Sequence, residues 1–389
     1  LPEQKTPAAQ REIGFAIVGC GVIGPWHAGA IARVAGARLV ACADNNKERA
    51  QELARGYGDL LKKLDITKEG GNVVPAVYTN YKTMLKRDDI DVICVCVPSG
   101  DHAKVGIEAA QAGKHVISEK PLDVTLAKMD AFIQATQNNH VQLAAIFQRR
   151  FDPNAMRIKQ AIEAGKFGKI LQADCTVKWY RAQKYYDSGE WRGTWELDGG
   201  GCLMNQGVHG VDLLQWFAGP IAWVQSWCAT TARQRIQVET QAIAIVGFKS
   251  GAHGVIQGST VCWPGEPVIN QVFGTKGTAS LQDSRLTSWK FMKETAADKN
   301  MLNEANNPMT RASGTDPLAA LGQPGDTHYP QIKDMVEAVR TGRAPACTGQ
   351  DARHAVEVIL AIYESARRGG ERIKLPLKAD SPATGFPKA

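Results

Sequence analysis

From Phe15 onward, short unbroken apolar runs alternate with longer amphipathic stretches. The runs FAIV, ARLVACA, DVICVCV, HVIS and VQLAAIF show no polar alternation, as expected of strands buried on both faces. Between them lie helical patterns: GPWHAGAIARV, the charged stretch from Asn45 to Ala54, and residues 124–138. Alternating strands and helices predict a parallel sheet with right-handed crossovers. Residues 56–77, with Gly70 and Gly71, read as an extended polar connection.

After about residue 148 the pattern changes. RFDPNAMRIKQAIEAGKFGKI reads as a helix with a glycine stop. Long strand-like stretches follow (LQADCTVKWYR, AWVQSWCATTARQ, TQAIAIVGFKSGAHGVIQGSTVCW and INQVFGTKGTASLQD), with one helix among them. That predicts a mostly antiparallel sheet with helices on one side. Polar residues 291–326 read as a long loop or lid, and DTHYPQIKDMVEAVRTG and DARHAVEVILAIYESARRGG as two closing helices. The expected organisation is α/β: a disordered tail (1–12), a doubly wound parallel domain (13–148), and an α+β domain with a large open sheet (149–389).

Composition narrows the classes. The 389 residues are 44% hydrophobic and 22% charged, as in a globular protein. No apolar run approaches the ~20 residues of a membrane span, so no membrane partner is expected. The first residues, LPEQKTPAAQRE, contain no signal-like apolar core. A cytoplasmic location is expected; a processed leader, and with it the periplasm, stays open. Nine cysteines without a CxxC pair read as free buried thiols, with no metal site. A net charge of +7 without a basic run argues against nucleic acid. Residues 149–192 hold ten Lys or Arg against five Asp or Glu. That is either a solvated basic face or a site for anionic or polyhydroxyl ligands.

Gly19-Cys20-Gly21-Val22-Ile23-Gly24 is a GxGxxG between a strand and a helix. In the Rossmann dinucleotide fold these glycines permit the tight turn, the approach of the pyrophosphate, and close helix packing. Asp44 ends the second strand, 20 residues past Gly24, where a carboxylate accepts from the ribose hydroxyls and favours NAD over NADP. Glu119-Lys120-Pro121 follows the strand HVIS. Ligands sit at the carboxyl ends of such strands, so Lys120 is a candidate for the nicotinamide end, where it can stabilise an alkoxide.

VGCGVIGPWHAGAI, VICVCVPSGDH, the EKP tripeptide and NQGVHGVDLLQWFAG together resemble the Gfo/Idh/MocA oxidoreductases. The resemblance implies a Rossmann domain, an α+β domain, and a sugar or inositol held between nicotinamide and the second sheet. It implies cofactor contacts at Pro98, Ser99, His102, Glu119 and Lys120, and maps a catalytic or substrate-binding lysine to Lys120. The family's usual Asp-xxx-His maps to Asn205 and His209, with the histidine as acid/base. Asn205 departs from that pattern and looks similar to the branch acting on UDP-linked N-acetylhexosaminuronates at C3. A homodimer or homotetramer through the open sheet face is implied as well.

In GGGCLMNQGVHGVD, a regular helix puts Asn205, His209 and Asp212 on one face. Those groups are either solvated or aimed at a substrate. The glycines favour a close approach by something, and histidine suits proton transfer near neutral pH. Tyr180, Arg181 and Trp195, from the aromatic and basic run before this helix, are candidate sugar contacts, with Gln148, Arg149 and His328. The expected activity is NAD-dependent oxidation of a secondary hydroxyl, at C3 of a sugar, glycoside or nucleotide sugar, with His209, Lys120 and Asn205 catalytic. Two alternatives use the same residues: an NAD-dependent glycosidase working through transient C3 oxidation, and a non-catalytic NAD and sugar sensor.

Overall fold

The apolar runs pair as parallel strands. The computed structural model describes residues 11–71, 74–306 and 328–380. Its first sheet contains β1 (Ile13–Val18), β2 (Ala37–Ala43), β3 (Ala76–Tyr78), β4 (Val92–Val95), β5 (His115–Ser118) and β6 (Leu143–Ala145). They run parallel in the order β3-β2-β1-β4-β5-β6. The order reverses between β1 and β4, which opens a crevice at their carboxyl ends.

The second sheet contains β7 (Ile170–Lys178), β8 (Ile221–Ala229), β9 (Gln241–Phe248), β10 (His253–Ser259), β11 (Ile269–Gly274), β12 (Gly277–Gln282), β13 (Arg285–Phe291) and β14 (Ile373–Lys374). Their order is β13-β12-β11-β7-β10-β9-β8-β14, antiparallel except between β7 and β10. The helices Val208–Ala218 and Gly349–Arg367 pack on this sheet. Trp227, Ile243 and Ile245 remain about half exposed, with Trp227 paired to Ile243.

Four expectations change. The second helix runs Lys47–Lys63 and replaces much of the extended connection, because Leu53, Tyr57, Leu60 and Leu61 keep a helical apolar stripe buried. Within the expected loop, Ala296–Ala305 is a helix, closed by a capping box between Thr295 and Asp298; residues 307–327 lie outside the described residues. Arg11 and Glu12 are tied down, Arg11 to Asp91 at 2.7 Å and Glu12 to Glu69 at 2.8 Å, and the rest of the expected tail lies outside the described residues. The helix Tyr329–Thr341 returns to the first sheet, where Ile332, Met335 and Val336 share a core with Phe15 and Ile17.

The helix with the site candidates also differs. Cys202–Gly207 is a π-helical turn, and the regular helix begins at Val208. The glycines around it serve packing: a Cβ at Gly201 would lie 1.8 Å from the Glu239 carbonyl oxygen, and one at Gly210 would lie 2.5 Å from Cys175 Sγ. The Glu239 carboxylate holds the turn's entry. It accepts from the backbone of Gly201 at 2.7 Å, of Leu203 at 2.9 Å, and from the Tyr363 hydroxyl at 2.8 Å. Burial pushes this carboxyl up to about 7, against the pull of those donors.

A carboxyl raised on folding binds its proton more tightly in the native state, so its contribution to stability falls as pH rises from the unfolded value toward 7. Glu239→Gln is expected to remove this part of the slope. Thermal midpoints of both proteins at pH 5 and pH 8 measure it; an unchanged difference between the two pH values would contradict it.

Candidate active site

The glycine turn at the end of β1 is built for a close approach. Gly19 has φ +95°, and a Cβ there would lie 2.4 Å from the Cys96 carbonyl oxygen. A Cβ at Gly21 would meet nothing within 4 Å, so its backbone borders open space. Val22 is exposed, Ile23 leads into the helix Gly24–Arg33, and Gly24 lies against the Gly19 carbonyl. Asp44 accepts from the Cys20 amide and the Asn46 amide, both at 2.8 Å. A carboxylate keeps further lone pairs for ribose hydroxyls. An open glycine, a helix N-terminus and a fixed carboxylate together fit the pyrophosphate and ribose of a dinucleotide.

Pro98 and buried Ser99 follow β4 at the switch point. His102 is placed differently from the expectation of a cofactor contact. Its ring nitrogens lie 2.6 Å from the Pro121 carbonyl and 2.8 Å from the Val97 carbonyl, and the residue is buried. It braces the loops after β4 and β5, because polar ring atoms taken from water need such partners.

Lys120, just past β5, reaches the second domain: its Nζ donates to the Asn205 carbonyl oxygen at 2.8 Å. Burial lowers the Lys120 pKa, while the charges of Glu119 and Asp198 pull it back up. Glu119 is buried, and one of its oxygens lies 3.0 Å from His27 Nε2 and 3.3 Å from His328 Nε2. Burial opposes its charge, but those two contacts override it and hold the carboxyl well below the usual range. His27, Glu119 and His328 are spaced closely enough to hold a metal ion. In the structure they contact one another.

His209 lies beyond the π-turn, its ring edge-on to Phe147 at 5.6 Å. Its Nδ1 is buried with no partner among the described residues. Burial holds its pKa well below the ordinary histidine value, and the charges of Lys120 and Arg149 lower it further. Asn205 donates through Nδ2 to Asp198 at 2.6 Å. Asp198 was not foreseen, nor was Glu239 or His27. Asp198 precedes the three glycines in LDGGG, and no periodicity marks it.

Asp212 keeps its helical spacing from His209 but is paired with a cation that the spacing did not foretell. It lies about one turn further along the axis, where Arg150 reaches it at 2.6 and 2.8 Å. Arg150 also pairs with Asp351 at 3.1 Å. Burial pushes Asp212 up to about 6, against the pull of Arg150.

The remaining candidates divide. Gln148 has a buried Oε1 with no partner among the described residues, and Arg149 leans on Asp283 at 3.3 Å. Arg181 lies over the rings of Trp179 and Tyr185, at 4.8 and 5.2 Å. Arg192 also caps Tyr185 and bonds its hydroxyl at 2.7 Å. Tyr180 packs edge-on to Trp263 and, with Trp179 and Arg181, lines a small surface pocket. Trp195 is turned toward the closing helix, against Tyr363 and Arg367, instead of being grouped with Arg181.

Residues 13–147 match the family described as "Oxidoreductase family, NAD-binding Rossmann fold", and residues 155–280 match the "GFO/IDH/MocA C-terminal domain". The myo-inositol 2-dehydrogenase of Thermotoga maritima is 26% identical over 90% of this chain and 95% of its own. The WlbA dehydrogenase of Bordetella pertussis, solved with NADH and UDP-GlcNAcA, is 31% identical with a TM-score of 0.78, covering 95% of this chain and 100% of that one. Levoglucosan dehydrogenase with NADH, 22% identical with a TM-score of 0.77 over 94% of this chain and 100% of its own, shares the fold. The chain belongs to the Gfo/Idh/MocA oxidoreductase family, and NAD is its cofactor.

Two expectations follow. Gly21→Ala leaves the fold intact and weakens NADH binding, whereas Gly19→Ala also lowers the thermal midpoint, because its Cβ meets backbone. Fluorescence titration with NADH and a melt separate the two. Asp212→Ala leaves Arg150 with Asp351 alone and destabilises the fold by about 3 kcal/mol, the order seen when one partner of a buried ion pair is removed. Denaturant unfolding checks this.

Proposed function

We propose that the protein is an NAD-dependent carbohydrate dehydrogenase that oxidises a secondary ring hydroxyl, at C3 of a sugar, glycoside or nucleotide sugar. The observation that carries this reading is the convergence of Lys120 from the first domain with Asn205 from the π-turn, four residues before His209. When bound, NAD supplies the hydride acceptor. The neutral imidazole of His209 takes the hydroxyl proton, since its lowered pKa leaves it unprotonated at neutral pH. Lys120 stabilises the developing alkoxide by donating to it. Asn205 and Gln148 orient the sugar through hydroxyl contacts.

Arg181 and Arg192, both of whose charges reach Lys120, favour a substrate with an anionic group. The inositol dehydrogenase and UDP-GlcNAcA-bound relatives support the substrate class. The half-exposed Trp227, Ile243 and Ile245 support pairing of the second sheet with another copy.

The test is absorbance at 340 nm with NAD and a panel of inositols, glucosides, glucuronides and UDP-sugars. Sustained growth with an anionic sugar is expected. A transient signal with release of free sugar would instead assign internal redox and glycoside cleavage, and no signal with any sugar would overturn the reading. His209→Gln is expected to lower kcat by about 10²–10⁴-fold. The acid limb of kcat/KM is expected below pH 6.5, the side to which the His209 pKa is shifted. A limb at or above 6.5 in the wild type would contradict it.

A further inference from the structure

Asp198 belongs to none of the roles assigned so far, yet it is the acid that touches the candidate machinery from behind. It is buried, at 2% exposed. One oxygen accepts from the Gly193 amide at 2.8 Å and the other from Asn205 Nδ2 at 2.6 Å. Burial raises its pKa, opposed by the hydrogen bonds from Gly193 and Asn205 and by the charges of Arg192 and Lys120. An ionised carboxylate only accepts hydrogen bonds. In the structure the Asn205 amide turns its nitrogen toward Asp198 and its oxygen away from it, the orientation that an ionised Asp198 requires. No described residue donates to that oxygen.

We infer that Asp198 is a positioning residue that locks the Asn205 amide with its oxygen facing the substrate, so that position 205 selects a group that donates a hydrogen, such as a hydroxyl or an amide N–H. The negative charge of this part of the site thereby sits one residue back from the substrate, on a carboxylate shielded from solvent. The role in turnover rests on the dehydrogenase reading above; the orientation of the amide does not.

Three variants and one spectroscopic signal test it. Asn205→Asp places two carboxylates at the 2.6 Å separation now spanned by an amide hydrogen bond. It is expected to lower kcat/KM by at least about 10-fold, since like charges at that distance cannot both ionise. Asp198→Asn alone frees the amide to flip and raises KM for the sugar more than it lowers kcat. Adding Asp198→Asn to Asn205→Asp restores one donor facing one acceptor and is expected to recover at least half of the lost activity on a logarithmic scale. A merely structural Asp198 gives no such rescue.

In [15N]asparagine-labelled protein, the Asn205 side-chain signal, assigned by its loss in Asn205→Asp, is expected downfield and slow to exchange in the wild type and ordinary in Asp198→Asn. Full activity in Asn205→Asp, a double variant no better than Asn205→Asp, or an amide signal unchanged by Asp198→Asn would each overturn the inference. If the wild type oxidises no carbohydrate, the dehydrogenase reading falls, and the amide signal still decides the role of Asp198.

Discussion

The bond from the Lys120 ammonium to the Asn205 carbonyl oxygen, 2.8 Å long, joins the two domains where their candidate groups meet. Each partner depends on its own scaffold. Lys120 is set by the end of β5 and by Glu119, whose carboxylate is pinned between His27 and His328. Asn205 is set by a π-turn whose entry is held by Glu239 and Tyr363. The site is therefore a junction of two sheets, and it requires both to be folded and docked.

The junction is also an electrostatic compromise. Burial lowers Lys120 and His209 and raises Asp198, while the fixed charges around them act in different directions. Lys120 has Glu119 and Asp198 to favour its charge. Burial above all, and then the charges of Lys120 and Arg149, lower His209 against the pull of Glu119, and its Nδ1 has no partner among the described residues. Pushing the pKa values of neighbouring groups apart is what the proposed division between a proton acceptor and a charge stabiliser requires.

Much of this was legible in the sequence, for physical reasons. Strands buried on both faces leave unbroken apolar runs, and a phosphate-binding turn needs glycine at fixed spacing, so the first sheet and the loop around Gly19, Gly21 and Asp44 could be read directly. Local motifs singled out Lys120, Asn205 and His209, and the structure brings the first two into contact. Helical spacing fixes the angle of Asp212 about the axis but not its partner, which is Arg150. The glycines at 201 and 210 were read as marking a close approach by something, and what approaches is the Glu239 backbone and the Cys175 thiol. Asp198, Glu239 and His27 act through contacts 7, 38 and 92 residues away in the chain, and no local pattern encodes these.

The proposed chemistry turns on the folded junction holding His209 neutral. The most direct measurement is a 15N NMR titration of histidine-labelled protein, with the His209 signals assigned by substitution. Ring shifts of a neutral imidazole are expected at pH 6.5 and at every higher pH. A His209 that is half protonated at or above pH 6.5 would contradict it.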